Sequence, residues 1–457
     1  MTRFFFTTLL FAFCFFAMPA SAKTLDVQVI KSPAGIEAWL VQDKTVPVIS
    51  ISFSFDGGLA YDPEDKPGVA RMVSILLDEG AGDMDSQTFQ GKLENNAISL
   101  SFSPGRDSFS GELKTLSANK DLAFSMLGLA LSKPRFDRDA IQRMKNANIS
   151  EIKQNMGDPN WLVARTFNGM LFEGHFYSQP GSGDLDSMNR ITRTDLMNYV
   201  EDQFARNVLK VSIAGDISKE EAEAALDTIF GALPEKAAAF SANPVELKYP
   251  GKTVLLPLNT PQTFVMAGAP GISHSDKDWH AAMIMNYILG GGSFDSRLMN
   301  EIREKRGLTY GVYSSLNSMK YVDLIQASMS TSNDKAEEAV SILKKEWARM
   351  AENGPTDDEI KDAKDYLTGS LLLGLTSTDD ISGALNGLQQ DNFGPDYINQ
   401  RNDLIKAVST ADVKRIAKKI LNTDTLTTIL VGQPKNVSAD VMLDQPPGMH
   451  EPKQEER

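Results

Sequence analysis

An internal duplication is the feature of this 457-residue chain that most constrains its fold. Residues 194–215 read TDLMNYVEDQFARNVLKVSIAG and residues 411–432 read ADVKRIAKKILNTDTLTTILVG, and aligning Asp195 with Asp412 also aligns the glycines that end both segments. Each copy is typical of an amphipathic helix opened by a hydroxyl residue and Asp, followed by a β-branched strand. Because the copies lie 217 residues apart, nearly half the chain, we expect two domains that share one fold.

Composition between the two copies predicts the domain boundaries. Residues 236–252 are rich in Ala, Ser and Pro and have no strong period, as expected of a linker. We therefore place an N-terminal domain at residues 23–235, a C-terminal domain at residues 253–441, and a disordered, charged and Pro-containing tail at residues 442–457. Strand patterns precede and alternate with helical periods in each half, which favours an α+β fold over a doubly wound parallel sheet.

Residues 1–22 have the pattern of a secretory signal peptide. Arg3 precedes an uncharged run rich in Phe and Leu, and Ala-Ser-Ala at residues 20–22 predicts cleavage after Ala22. An uncleaved anchor is the alternative, but the apolar run is shorter than the roughly 20 residues of a spanning helix. We expect an exported protein with the periplasm as its location and no membrane segment after cleavage. The single Cys, Cys14, lies in this segment, so the cleaved chain would carry neither disulfides nor thiolate metal sites.

The charge balance excludes one class of partner. The chain has 46 Lys and Arg against 60 Asp and Glu, a net charge of −14. Such a surface repels a phosphate backbone, so we expect no nucleic-acid partner.

A helix predicted at residues 68–79 carries a recognisable but altered motif. It follows a Gly-rich turn at residues 56–58, and together they resemble the start of the M16 (insulinase, or inverzincin) peptidase family, whose helix reads G-x-A-H-x-x-E-H. In that motif two His at i and i+4 bind one Zn²⁺, and the Glu between them is the general base for the metal-bound water. Here the three positions hold Arg71, Ser74 and Ile75, so both His ligands and the base are absent.

The resemblance implies one further zinc-motif position. The family's third ligand is a Glu on a later helix, and Glu151 stands near that place, on one helical stripe with Met144 and Ala147. A solvated surface Glu is the alternative interpretation. The four His, at residues 175, 274, 280 and 450, form no i, i+4 pair. We therefore expect no metal on this chain and no hydrolysis by it alone; an enzyme with unexpected metal ligands is the weaker alternative.

The most specific segment lies in the second half. Residues 286–315 read NYILGGGSFDSRLMNEIREKRGLTYGVYSS, which is similar nearly throughout to the C-terminal-domain signature of the family. The pattern predicts a helix at residues 294–306, ended by Gly307, and then a strand. Arg303 and Tyr310 match the family's Arg/Tyr pair, which the resemblance implies binds the scissile carbonyl at a zinc site in an N-terminal domain. A helix cap and a sheet-filling side chain are the structural alternatives.

These observations predict an α+β protein of two homologous M16-type domains that keeps the carbonyl-binding half of an active centre and lacks the metal half. The resemblance implies a non-catalytic, substrate-binding subunit of a heterodimer. Its Arg303 and Tyr310 would act in trans, Zn²⁺ would lie on an M16 partner subunit, and peptides would be the substrates. The alternative is a non-enzymatic periplasmic protein of the same fold that binds peptides or scaffolds a complex.

Overall fold

A computed structural model describes residues 25–448; the predicted signal peptide and residues 449–457 lie outside the described part of the chain. Strands and helices alternate in both halves, as the sequence predicts. The first half contains β1 Gln28–Lys31, β2 Glu37–Gln42, β3 Val48–Asp56, α1 Val69–Ser74, β4 Gly80–Ala81, β5 Met84–Asp85, α2 Ser86–Asn95, β6 Ser99–Pro104, β7 Ser108–Leu116, α3 Lys120–Ser132, α4 Arg138–Asn155, α5 Pro159–Leu171, α6 Leu185–Arg190, α7 Arg193–Gln203, β8 Leu209–Gly215 and α8 Lys219–Phe230. The second contains β9 Thr253–Pro257, β10 Gln262–Pro270, α9 Trp279–Asn286, β11 Thr309–Ser318, β12 Asp323–Ser332, α10 Ala336–Asn353, α11 Asp357–Ser370, α12 Thr378–Gln390, α13 Tyr397–Ala407, α14 Thr410–Ile420, β13 Thr427–Gly432 and β14 Val441–Met442.

The two halves have the same sheet topology. The six strands of the first sheet are ordered β1-β2-β8-β3-β7-β6, and those of the second are ordered β14-β9-β13-β10-β12-β11. In each sheet the central strand, β8 or β13, pairs parallel with one neighbour and antiparallel with the other. The sheets differ in the outermost strand, since β1 precedes its partner β2 in sequence whereas β14 follows its partner β9.

The repeated segments form equivalent helix–strand units. Thr192 and Ser409 begin α7 and α14, and each forms a capping box with Asp195 or Asp412 three residues later. Each capping box satisfies backbone N–H groups that the first helical turn leaves without partners. The strands that follow, β8 and β13, both end in a glycine of positive φ. The sequence repeat is therefore a structural repeat as well.

Strand β3 shows how the first core is built. Its sequence VISISFSFD alternates, and Ile49, Ile51, Phe53 and Phe55 point into the core, where they are fully buried. On the opposite face the serines Ser50, Ser52 and Ser54 are also buried, at 6% exposure or less. Alternation of this kind usually indicates an antiparallel sheet with one solvated face. Because the serines are buried, another element of the protein must cover their face.

Helix α12, from the second half, covers that serine face. The Ser50 and Thr378 hydroxyls lie 2.7 Å apart, and those of Ser52 and Ser382 lie 2.9 Å apart. The Ser212 hydroxyl donates to the backbone carbonyl of Ser382 at 2.7 Å. These bonds satisfy hydroxyl groups that burial would otherwise leave without partners.

Helix α5, from the first half, covers the second sheet in the reciprocal position. Its apolar side chains pack with Val254, Ile429 and other residues of β9 and β13. Gly268 on β10 lies under the Phe167 ring, where an added Cβ would be 2.6 Å from Cζ. Each sheet is thus covered on one face by a helix of the other half, and the two halves share their packing.

Several predicted boundaries need correction. The helix expected at residues 68–79 ends at Ser74 and continues as turns, because the chain bends toward Gly80, whose φ is 115°. The helix expected at residues 294–306 is replaced by a short 3₁₀ turn and a π-helical segment at Met299–Glu304. A second π segment, Tyr287–Gly291, extends α9. Such π turns are rare and concentrate at functional sites.

The C-terminal part of the chain packs on the fold beyond the expected point. Met442 belongs to β14, and the backbone of Leu443 donates to Leu255 at 2.9 Å. Pro447 lies against Gly169 of α5. The predicted tail therefore begins later than Met442, and its remainder lies outside the described residues.

No helix within residues 25–448 is both long and apolar enough to span a membrane.

Truncating the side chain that anchors α12 tests the helix exchange. Leu385 is fully buried beside Val41 and Ala214 of the first sheet. We expect Leu385→Ala to lower the free energy of unfolding by about 2–5 kcal/mol, measured by urea denaturation. Leu404→Ala, at a leucine that is 41% exposed, is the control and should cost far less. Equal losses in the two variants would contradict the packing of α12.

Candidate functional site

The structure brings two of the four degenerate zinc-motif positions into contact. Arg71 on α1 donates from Nη2 to the Glu151 Oε2 on α4 at 2.9 Å. The Arg71 side chain is 30% exposed and that of Glu151 is 47% exposed, so water screens the pair and its contribution to stability is small. The Glu151 carboxylate therefore neighbours α1, and a guanidinium is its partner there.

The other two positions offer no metal ligand in a suitable state. Ser74 is buried and its hydroxyl donates to the Arg71 carbonyl at 2.8 Å, while Ile75 packs against the first core. A zinc site needs three or four N, O or S ligands, and Glu151 is the only one in this set. Within residues 25–448 no cluster of three or more His, Cys, Asp or Glu side chains is placed to hold a metal. The donor set therefore does not fit Zn²⁺.

Each described His contacts a polar or aromatic neighbour. His175 Nδ1 accepts from the Tyr177 backbone at 3.2 Å and so begins a 3₁₀ turn. His280 Nε2 lies 3.0 Å from the Tyr397 hydroxyl, and His274 Nδ1 lies 3.3 Å from Asp391. His450 lies outside the described residues. His274 and His280 contact the two rings of the stacked pair Phe393 and Tyr397, and the described His belong to no cluster placed to hold a metal.

Restoring the His ligands tests whether α1 keeps the geometry of a zinc site. In the double variant Arg71→His/Ile75→His, the two imidazoles would stand one turn apart, beside Glu151. We expect this variant to bind about one Zn²⁺ per chain by metal analysis after dialysis, because two imidazoles and a carboxylate are a sufficient ligand set. Adding Glu151→Ala is the control and should reduce the retained metal. Equal zinc content in both variants would contradict the placement of Glu151.

A buried carboxylate, Asp62, binds the N-terminal turn of α1. Sequence analysis did not identify it. Asp62 accepts from the backbone N–H groups of Gly68 and Ala70, both at 2.7 Å. Burial raises the pKa of Asp62 to about 7, although these two bonds favour the ionised form. Since the folded state then holds this proton more tightly than the unfolded state, the contribution of Asp62 to stability is present below about pH 4. It is lost as the pH rises toward 7.

The pH dependence of unfolding tests this assignment. We expect the free energy of unfolding of the natural chain to fall between pH 5 and pH 8 by more than that of Asp62→Asn, which cannot titrate at this position. Urea denaturation at the two pH values measures both slopes. Parallel slopes would mean that Asp62 keeps an ordinary pKa.

The Arg/Tyr pair predicted from the sequence lies at the surface. The Tyr310 side chain is 84% exposed, the highest value among the large hydrophobic side chains of the described residues. The Arg303 guanidinium lies over the Phe294 ring at 4.6 Å, and its Nε is 3.7 Å from Glu304. Phe294 is itself 59% exposed, and sequence analysis did not single it out. The structural alternative for Tyr310, a side chain that fills a sheet face, does not agree with this exposure.

A β-bulge directs the Tyr310 side chain outward. Strand β11 is an edge strand, and its register against β12 shifts between Thr309 and Val312. Thr309 Oγ1 is buried among backbone groups and accepts from the Gly311 N–H at 3.1 Å, which fixes the backbone on both sides of Tyr310. Bulges commonly re-aim a side chain at the end of a strand. The phenol is therefore held by a rigid backbone and is free to meet a ligand.

The fold and the site together define a two-domain M16-type chain in which the zinc-motif positions do not form a metal site. Residues 190–367 match the family model described as Peptidase M16 inactive domain. Over these residues the chain is similar to the M16 peptidases, and both the predicted resemblance and the predicted α+β fold are confirmed.

Curated relatives and a solved structure agree with this assignment. The "Non-peptidase homolog YmxG" of Helicobacter pylori is 28% identical over 431 residues, which cover 92% of this chain and 96% of that protein. The mitochondrial-processing peptidase subunit beta of Neurospora crassa is 22% identical over 421 residues, 88% of this chain and 87% of that protein. A crystal structure of a peptidase M16 inactive domain from Pseudomonas fluorescens superposes with a TM-score of 0.84 at 27% identity, covering 92% of this chain and 100% of that chain.

Proposed function

We propose that this chain is the non-catalytic, substrate-binding subunit of a two-chain M16-type zinc peptidase. In this proposal Arg303 and Tyr310 act in trans on a peptide bound at a zinc site of a partner M16 subunit. The observation that carries the proposal is the exposure of Tyr310, at 84%, on a chain whose own α1 lacks zinc ligands. An aromatic side chain held outward on a rigid strand, without a role in its own core, is suited to a ligand that comes from outside.

The chemistry of the pair supports this role. During peptide hydrolysis negative charge grows on the scissile carbonyl oxygen, and a phenol O–H placed there stabilises that charge. The Arg303 guanidinium adds a permanent positive charge and several donors. Its contact with the Phe294 ring holds it without a buried carboxylate that would neutralise it.

The relatives support a partnered function in a more general way. Mitochondrial-processing peptidase subunit beta is, by its name, one subunit of a processing peptidase. We propose that Zn²⁺ lies on the partner of the present chain, that peptides are the substrates, and that the complex forms in the periplasm after removal of residues 1–22.

Removing the phenol hydroxyl tests the proposal. We expect Tyr310→Phe to lower kcat of the mixed complex with an HxxEH-containing M16 subunit of the same cell by about 10²- to 10³-fold, because one oxyanion donor is lost. Peptide cleavage is followed by fluorescence, and assembly by co-purification. Arg303→Ala should likewise lower turnover while assembly is retained.

Tyr313→Phe is the matched control. Tyr313 lies on the same strand and is 50% exposed, and its variant should leave turnover unchanged. If mixing the two chains yields no cleavage beyond that of the zinc subunit alone, or if Tyr310→Phe behaves like Tyr313→Phe, the proposal is wrong.

The name of the Helicobacter pylori relative, a non-peptidase homologue, favours one second candidate. This is a non-enzymatic periplasmic protein that binds peptides or scaffolds a complex. The mixing experiment separates the two candidates, because the second predicts no new cleavage and no effect of substitutions at Arg303 or Tyr310.

A further inference from the structure

Two arginines outside the Arg/Tyr pair line a cavity in the first half. Arg106 follows edge strand β6, and Arg165 lies on α5, the helix that covers the second sheet. Both border a cavity of about 320 Å³, a size at the lower end of small-molecule sites. Arg106 also lines the cleft of about 610 Å³ between the two halves.

Arg165 is a buried cation that forms no ion pair with a carboxylate of residues 25–448. Its residue is 6% exposed, and Nη1 donates to the Ser178 carbonyl. Its Nε has no hydrogen-bond partner among the residues that the structure describes. Buried guanidinium groups are normally paired and fully hydrogen-bonded, so the charge of Arg165 is incompletely compensated by the described residues.

Arg106 is likewise unpaired. Its guanidinium lies 5.7 Å from the Phe172 ring and 5.8 Å from the Tyr177 ring, and it makes no ion pair within residues 25–448. The adjacent carboxylate of Asp107 is engaged elsewhere, since it accepts from the Tyr177 hydroxyl at 2.5 and 2.6 Å and from the Lys320 backbone at 3.1 Å. The two aromatic rings therefore hold the cation in place without neutralising it.

The electrostatics of the cavity favour an anion. Burial lowers the pKa of Arg106 against the opposing effect of Asp107, and burial together with the Arg106 charge lowers the pKa of Arg165 to about 10 although the nearby Asp184 carboxylate opposes the shift. The side chains that line the cavity include no Asp or Glu, although the chain carries 60 of them. The carboxylates nearest to the two arginines, Asp184 and Asp107, lie outside the lining of the cavity, so two cations face it without an acidic group in its walls.

The remaining walls indicate what accompanies the anion. Leu59, Trp161 and Pro180 supply apolar surface, and Asn168 and Gln179 supply amide groups. A ligand that satisfies this lining has a carboxylate at one end, an apolar body, and an amide that the side-chain amides can bind. The C-terminal residue of a peptide has these three parts.

We propose that the Arg106–Arg165 cavity binds a small organic carboxylate, in particular the C-terminal carboxylate of a peptide. The proposal rests on the peptide-binding role proposed above and adds an end-group preference to it. A planar carboxylate accepts from a guanidinium fork, so a carboxylate in the cavity would bind Arg106 and compensate the buried charge of Arg165.

Calorimetric titration of the full chain, without any partner subunit, tests this proposal. The probes are N-acetyl-Leu-Phe with a free carboxylate and the same compound as its C-terminal amide. We expect the acid to bind at least 10-fold more tightly than the amide, because a hydrogen-bonded charge is lost in the amide. We expect Arg106→Gln to weaken binding of the acid by about 10- to 100-fold. Arg165→Lys, which keeps the charge but not the fork, should weaken it as well.

Arg138→Gln is the charge-matched control, since Arg138 is exposed on α4 and does not line the cavity; its affinity for the acid should be unchanged. Equal binding of acid and amide, no heat from the acid at millimolar concentration, or an unchanged affinity in Arg106→Gln would overturn the proposal. Displacement of the acid by inorganic phosphate at equal concentration would mean a general oxyanion site and would overturn the assignment to a peptide terminus. Since no zinc subunit is present, these outcomes are independent of the Tyr310 experiment.

Discussion

The reciprocal exchange of helices α5 and α12 is the interaction on which the rest of the structure depends. Each sheet has a core face covered by helices of its own half and a second face covered by a helix of the other half. Because the buried Ser50 and Ser52 hydroxyls of β3 bond to α12, the first half cannot present a complete surface alone. The shared packing holds the two halves in one relative orientation, and with it the positions of α1, β11 and the cleft between them.

The two halves share this packing but differ in the side chains and backbone at the positions of the M16 motifs. In the first, an ion pair between Arg71 and Glu151 joins α1 and α4 where the M16 motif requires a metal. A guanidinium supplies a positive charge next to the remaining carboxylate, so the carboxylate stays compensated, but it has no vacant coordination position at which to activate water. In the second, the exposed pair Arg303 and Tyr310 is held by a π turn and a bulge. Irregular backbone at these points positions side chains that a regular helix and strand would direct elsewhere.

Two arginines that contact aromatic rings lie at the places where a ligand is proposed. Arg303 stacks on Phe294, and Arg106 lies over Phe172 and Tyr177. In each case an aromatic ring orients the cation; Arg106 has no ion pair within residues 25–448, and the one partner of Arg303, Glu304, is 52% exposed and 3.7 Å away. A protein of net charge −14 that keeps such cations in concave or protruding positions is suited to bind anionic groups of a ligand.

The sequence by itself determined the duplication, most helices and strands, the M16 resemblance and the positions that replace the zinc motif. These features depend on local patterns, such as the capping residues Asp195 and Asp412 and the alternation in β3, which are readable without knowledge of distant contacts. Only the tertiary structure decided three further features. They are the contact of Arg71 with Glu151, the burial of the serine face under α12, and the placement of Arg106 and Arg165 at one cavity. Each joins residues from separate elements, and a pattern of neighbours along the chain carries no information about which element will cover which face.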